Sequence, residues 1–545
     1  MKNKFLESHD NDEVNRMDQQ PTKVNTAFII LLIGVFMAAL DNGIISAALT
    51  TINASFDVTA TQGTWGITLY TLGLAIATPI VGKLSDRYGR KKLFLIEIAI
   101  FTVGSLGVAL SPNFSFFLAS RLLQSFGGGG IFIIASSYVI STYTKEKQGS
   151  MLGLLGGMNG IASVIGPNIG SFLIDLTGTW HWLFLINVPI GLLLLVGGFF
   201  YLEETKATAL SKIDSLGISL LSLSILSVMF AINNLGTGDL LRSLVSQTVF
   251  GLLLLAVVLF ALLMYVEKKR EHGTRYDPFL PYSLLRKPTY AVTMLMALLS
   301  GTMIGAVIFI PSFVEQVLGI PAAKSGYWMT PLAIASGIGA GGGGYFVDKQ
   351  GPVRTLILSG VISIIGYGGL AFFVDTKLSF VLFSVIAGVG FGFVLGAPLT
   401  VLTANAAGRQ KGTALGTLSV SRQIGLTIAP TIFGAFIQNG FSQLDTLIPQ
   451  KLRAYGIDPA SIPPDQLNQL SGSYGDLQSQ IDQIPVENVR LALTDAFQQA
   501  SHLAYQPIYV TTSVAALLII ILALAFRKQF ARDAEVMENR PPHDE

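Results

Sequence analysis

The chain is 545 residues long, 51% hydrophobic and only 12% charged, with a mean hydropathy of +0.58. Soluble domains carry about 25% charged residues, so the water-facing surface that a large soluble enzyme needs is missing. A net charge of +2 offers no basic field for nucleic acid, and the absence of cysteine excludes disulfides, thiol nucleophiles, iron–sulfur clusters and thiolate zinc sites.

Residues 1–23 form a polar tail without a cleavable signal peptide. Beyond it the sequence divides into apolar runs, each long enough to cross a ~30 Å hydrocarbon core at 1.5 Å rise per residue. Fourteen are expected, at about 26–50, 62–82, 93–111, 114–140, 149–174, 182–202, 214–235, 245–266, 288–312, 325–347, 354–374, 378–404, 411–437 and 507–526. The period-2 alternation of barrel strands is missing, so the expected fold is an all-α integral membrane protein. The 57 glycines suit close-packed membrane helices. With the amino terminus inside, the inner segments hold 27 Lys and Arg and the outer segments 6. This bias places both termini in the cytoplasm and predicts a multi-pass protein of the cell membrane.

The spans group into two six-helix bundles, 24–202 and 288–526, separated by 203–287, which carries a motif-poor helix pair expected to be a linker insert. A polar stretch at 438–506 has apolar residues near helical spacing and predicts short helices lying on the outer face. Residues 527–545 form a cytoplasmic tail. The bundles are an internal repeat. Gly82, Asp86, Arg87 and Gly89 after the second span recur as Gly344, Asp348, Lys349 and Gly351, at an offset of 262. Gly149, Gly153 and Pro167 recur as Gly412, Gly416 and Pro430, at an offset of 263. Internal repeats of this kind are common in transporters.

The segment "GKLSDRYGRKKL" (82–93) resembles the loop signature of the major facilitator superfamily. Together with "ALDNGIISAAL" (39–49) and "TWHWLFLINVPIG" (179–191), it resembles the fourteen-helix drug:proton antiporter branch. The likeness implies that Asp86 and Arg90, with Gly82, Arg87 and Gly89, latch the two halves in an outward-facing state. It also covers "RLLQSFGGGG" (121–130), similar to an R-x-x-Q-G signature implicated in proton coupling, with Ser125 where glycine is usual. In the fifth span, Gly166, Pro167 and Gly170 resemble the antiporter signature, with Ala162 and Ser171 replacing glycines. Gly166-Pro167 interrupts the i to i−4 ladder and predicts a bend.

Charges inside spans cost ~2.5–3.5 kcal/mol or more. Asp41 in the first span is the expected proton carrier, Arg121 in the fourth has the coupling role that its signature implies, and Arg422 in the thirteenth is a further cation inside a span. Glu97 is expected near the inner surface, in contact with water. Substrate-cavity candidates are Asn42, Trp65, Tyr70, Gln124 and Tyr138 in the first half, and Phe313, Glu315, Gln316, Trp328, Arg422 and Gln423 in the second.

Gly337-x-Gly339-x-x-Gly342 matches a dinucleotide fingerprint only in letters, because no strand precedes it, and no P-loop occurs. No nucleotide, metal or other cofactor is expected, and no catalytic constellation is visible. The expected function is proton-coupled export of amphiphilic or lipophilic compounds by alternating access, a multidrug-efflux activity energised by the proton gradient. Two other readings remain open: export of a lipid or glycolipid, and a non-transporting membrane sensor or scaffold on the same fold.

Overall fold

The computed structural model describes residues 26–538, apart from 42, 46–47, 49–50, 59, 64, 205–211, 236–239, 272–275, 278–281, 321–324, 408–410, 460–480, 482–483 and 485. Nearly all of the described backbone is helical. Its one extended pairing is a two-residue parallel bridge between Lys212–Ile213 (β1) and Tyr276–Asp277 (β2).

The first half comprises α1 (Thr26–Ile45), α2 (Trp65–Tyr88), α3 (Arg90–Ala109), α4 (Phe114–Gly128), α5 (Ile131–Thr142), α6 (Lys145–Thr177) and α7 (Trp182–Tyr201). A break at Gly129-Gly130 divides α4 from α5 within one span. Next come α8 (Ser215–Asn233) and α9 (Gln247–Glu271). The second half contains α10 (Pro288–Val307), α11 (Ile310–Leu318), α12 (Thr330–Gln350), α13 (Pro352–Phe372), α14 (Lys377–Leu395), α15 (Pro398–Ala407), α16 (Lys411–Ser442), α17 (Leu444–Ala454) and α18 (Glu487–Ala525).

Among the described residues, twelve helices are long and apolar enough to cross a membrane, or thirteen when the bent pair Lys145–Ala162 and Ile165–Thr177 counts as one. The expected span at 325–347 falls on α12, a 21-residue helix outside that number. Six of its residues are glycines, which lower its hydropathy, and at Gly339, Gly343 and Gly344 other backbones press close. A Cβ on Gly344 would strike the carbonyl of Gly149, and one on Gly343 would lie 2.8 Å from the Cα of Phe393. Tight packing rather than hydrophobicity defines this helix.

The halves meet along two helix pairs, α2 with α16 and α6 with α12. These pairs are exchanged by the sequence repeat, as a pseudo-twofold relation requires. Between the halves in sequence, α8 packs against α2 and α16, burying Leu220, Leu221, Ile225 and Met229 in an apolar cluster with Leu72 and Val420. Asp214 accepts from the Gly217 N–H at 2.7 Å, capping α8. It also pairs with Arg270 near the end of α9. The rest of α9 exposes Phe250, Leu254, Val257, Val258 and Tyr265, a face suited to lipid.

The 438–506 stretch differs from expectation. Its first part extends α16 to Ser442 and forms α17, but residues 487–506 are the opening of α18. That helix runs unbroken for 39 residues, roughly 58 Å at 1.5 Å per residue. A stripe from Ala492, Ala496 and Ala500 through Ala504 and Ile508 to Ala515 and Ile519 is buried throughout. Because its period continues through the polar segment, the helix does not stop at the last span. Tyr455 after α17 donates to Asp495 at 2.9 Å, and Phe441 stacks on Phe497. Residues 460–480 lie outside the described part.

Candidate functional site

Asp41 is fully buried and sits opposite Arg121, which is equally buried. The Arg121 Nη1 donates to Asp41 Oδ2 at 2.7 Å and to Gln124 Oε1 at 2.6 Å. Arg121 and Gln124 are three residues apart on α4, so both project from one face. Gln124 Nε2 donates to Asp41 Oδ1 at 2.8 Å and to Ser105 Oγ at 2.8 Å. Asn187 Nδ2 reaches the same carboxylate oxygen at 3.1 Å. The guanidinium carbon lies 4.0 Å from the Tyr70 ring centre and 5.4 Å from that of Phe184. The Asp41 carboxylate thus accepts from three side chains on two other helices, and Arg121 is held by charge and ring face together. Ser105 and Asn187 were not among the expected site residues; an amide in the otherwise apolar run opening the sixth span was the available signal.

Glu97 departs from the expected wet position. It is 3% exposed, and its Oε2 accepts from the Gly130 N–H at 2.9 Å. The break between α4 and α5 frees that amide, and the carboxylate folds inward to meet it.

At the loop signature, Asp86 Oδ2 accepts from the N–H groups of Gly412 at 2.8 Å and Thr413 at 3.4 Å, in the first turn of α16. Arg90 Nη2 lies 3.6 Å from Asp86 Oδ1, and its Nη1 donates to Ser141 Oγ at 2.7 Å. The Gly82 position faces the carbonyl of Gly412 with no room for a Cβ. Arg87 lies over the ring of Tyr88 at 5.6 Å. Gly89 has φ 103° and its repeat mate Gly351 has φ 84°, a region L side chains rarely enter. The amides of Lys91 and Lys92 at the start of α3 donate to Glu204 at 3.2 and 3.1 Å. The second copy is built the same way: Asp348 accepts from Gly149 N at 2.6 Å, Ser150 N at 2.8 Å and Ser150 Oγ at 2.5 Å.

The axis of α6 bends by 45° between Ala162 and Ile165. Pro167 stands just beyond, where its ring clashes with the carbonyl four residues back. A Cβ on Gly166 would lie 2.7 Å from Gly43 Cα and 2.9 Å from its carbonyl carbon, so α6 rests on the backbone of α1 two residues from Asp41. Gly170 is buried on the same helix.

A cavity of about 130 Å³ lies between the halves, lined by Tyr70, Thr78, Phe132 and Asn159 on one side and Ser419 and Gln423 on the other. A smaller cavity shares Phe132 and Ser419 and adds Ser136, Thr400 and Arg422. Of the expected cavity residues that are described, Tyr70, Gln423 and Arg422 line these spaces, and the others do not. Gln124 is consumed by the Asp41 network. Trp65 is 40% exposed beside Phe230, and Tyr138 is buried in the first-half core. Phe313 packs against Phe380, Tyr505 and Tyr509, and Trp328 also meets Phe380. Gln316 accepts from the Tyr505 hydroxyl at 3.0 Å, while Glu315 is half-buried on the same helix. Side chains that met the compositional test for a pocket were drawn instead into packing. Asn42 lies outside the described residues. Among the described residues no group of His, Asp and Glu is placed to hold a metal ion.

Comparison with known proteins agrees with this architecture. Residues 31–430 match the Major Facilitator Superfamily. The chain is 55% identical over 508 residues to the uncharacterized MFS-type transporter YfiU of Bacillus subtilis (strain 168), covering 92% of this chain and 97% of that one. It is 33% identical over 435 residues to Multidrug resistance protein 3 of the same organism, covering 78% and 82%. In structure it is similar to the proton:xylose symporter XylE, with a TM-score of 0.54, 15% identity, and coverage of 91% and 95%. It is also similar to the human organic anion transporter MFSD10, with a TM-score of 0.52, 11% identity, and coverage of 91% and 99%. At those identities the two structures speak for the fold. The chain belongs to the major facilitator superfamily of multi-pass membrane transporters.

Proposed function

We propose that the protein is a proton-coupled exporter of amphiphilic compounds, working by alternating access in the cell membrane with both termini in the cytoplasm. The observation that carries this reading is the buried Asp41–Arg121 pair at 2.7 Å, a protonatable ion pair inside a span and beside a cavity shared by both halves. A proton on Asp41 replaces the charge of Arg121, frees the guanidinium from its partner and loosens the network through Gln124 and Asn187. Since α6 rests on α1 at Gly43, a change at Asp41 is transmitted directly to a helix that packs across the interface on α12.

The Asp86 and Asp348 contacts join the halves on the side that the Lys and Arg bias assigns to the cytoplasm, so the described conformation is closed to the inside. In this reading α12 is the fourteenth crossing, and α8 and α9 form the insert between the bundles. The relatives named as multidrug transporters support export as the direction, and we read the chain as a transporter rather than an enzyme. Energy comes from the membrane potential, ~2.3 kcal/mol per charge per 100 mV, together with the pH gradient.

The test is efflux from proteoliposomes under an imposed pH gradient, with Asp41→Asn as the comparison. Uphill transport is expected in the native chain and lost in the variant, with downhill exchange retained. Equal uphill transport by both would overturn the coupling role of Asp41.

A further inference from the structure

The two halves carry one mid-span arginine each, and the two are treated very differently. Arg121 is neutralised by Asp41 and sandwiched against Tyr70. Arg422 Nε makes a single long contact to Ser300 Oγ at 3.3 Å, and its Nη2 is buried with no hydrogen-bond partner among the described residues. The helices packed against α16 near this point, α10, α15, α5 and α8, contain no Asp or Glu at all. On α2 the carboxylate is Asp86, engaged ten residues away along α16 at Gly412. On α18 the carboxylates are Glu487 and Asp495, in the segment beyond the buried aromatic cluster, where Asp495 already accepts from Tyr455.

Arg422 lines the smaller cavity with Ser136 from the opposite half, which is 1% exposed and whose hydroxyl also lacks a partner among the described residues. Ser419 and Thr400 complete its polar wall, and Ser419 joins it to the larger cavity with Gln423. An unpaired guanidinium inside a span is costly unless something compensates it, and its fork of donors matches a planar or tetrahedral oxyanion. We infer that Arg422 and Ser136 form an anion-recognition site, so the exported amphiphile carries a single anionic head, a carboxylate, sulfonate or phosphate ester, rather than a cationic one. This rests on the export reading and names its substrate class.

The charge balance gives the inference a second consequence. One proton entering as one monoanion leaves moves two elementary charges in the same direction across the membrane. Exchange of one proton for one monocation moves none. Anion export is therefore accelerated by an inside-negative potential, whereas cation export is indifferent to it.

The experiment uses the full chain and two fluorescent amphiphiles with the same tail, one bearing a carboxylate head and one a quaternary ammonium. Binding is read by probe anisotropy in detergent, and efflux in proteoliposomes with a potassium–valinomycin potential. The carboxylate probe is expected to bind about tenfold or more tightly than the cation, with efflux that rises with the potential. Arg422→Gln should abolish that preference, and Arg422→Lys, which keeps the charge but not the fork, should retain part of it. Anionic phospholipid added as a competitor displaces the probe if the natural head group is a lipid phosphate and leaves it bound if the substrate is a soluble carboxylate. Either result is compatible only with an anion site. Tighter binding of the cation, or an anion preference unchanged in Arg422→Gln, overturns the inference. If the anion binds as expected but neither probe moves uphill, the proton-coupled reading fails and the site stands.

Discussion

Asp86 and Asp348 occupy the same place in the two repeats, and each accepts from backbone amides of a helix in the other half, Gly412 and Thr413 for one and Gly149 and Ser150 for the other. The donor helices are themselves repeat mates, so a single local device, used twice, closes one face of the molecule. The glycines beside each carboxylate allow it, because Gly82 meets the Gly412 backbone and Gly344 meets the Gly149 backbone without an intervening Cβ.

Removing one of these carboxylates should release one charge-assisted contact, about 1.5–3 kcal/mol. Asp86→Ala and Asp348→Ala are each expected to shift the protein toward the inward-open state by about tenfold or more, and the double variant further still. Cysteine cross-linking across the inner ends of α2 and α16 measures the shift, since the native chain has no cysteine. Unchanged cross-linking in the double variant would reduce both residues to topology anchors.

Truncation at Asp41 should be worse than neutralisation. Asp41→Ala leaves Arg121 buried and uncompensated, a loss expected at about 3–5 kcal/mol. Asp41→Asn keeps one acceptor oxygen, which can still take the Arg121 donor, and should unfold at a temperature nearer the native value. Thermal unfolding in detergent distinguishes the two, and equal midpoints would show that the pair does little for stability.

Gly166 is predicted to tolerate nothing larger. A Cβ there lies under 3.0 Å from backbone atoms of Gly43, which no rotamer change relieves. Gly166→Ala should already separate α6 from α1, at ~1–3 kcal/mol, and Gly166→Leu should block efflux or open a proton leak. Efflux and proton flux recorded in the same vesicles settle this, and wild-type coupling in the leucine variant would remove the packing argument.

Glu97 caps a helix break rather than a surface. Glu97→Gln preserves an acceptor for Gly130 N–H and is expected to fold normally. Glu97→Ala leaves a buried amide unsatisfied, a cost of about 1–3 kcal/mol, and should lower the unfolding midpoint measured in detergent. Equal stability of the two variants would indicate that the amide finds another partner.

What the sequence by itself determined is what depends on local composition and on repetition. Apolar length marks where helices can cross a membrane, because unpaired backbone groups are intolerable in hydrocarbon. The offsets of 262 and 263 residues already paired Asp86 with Asp348 and Gly149 with Gly412 as repeat mates. The rarity of charge in spans singled out Asp41, Arg121 and Arg422, since burial makes each one costly wherever it ends up. The tertiary structure decided what surrounds those charges. Whether an arginine inside a span is compensated depends on side chains from other helices: Asp41 lies 80 residues from Arg121 and Asn187 a further 66 beyond it, while among the described residues Arg422 bonds only Ser300. Packing also decided which aromatics line a cavity and which fill a core, and it kept Glu97 from water through an amide freed at Gly130. The glycines of α12 lowered the hydropathy that marks a span, while Gly339, Gly343 and Gly344 meet the backbones of other helices, so a helix that falls short of the apolar mark is one of the most closely packed, and only contact across the interface reveals it.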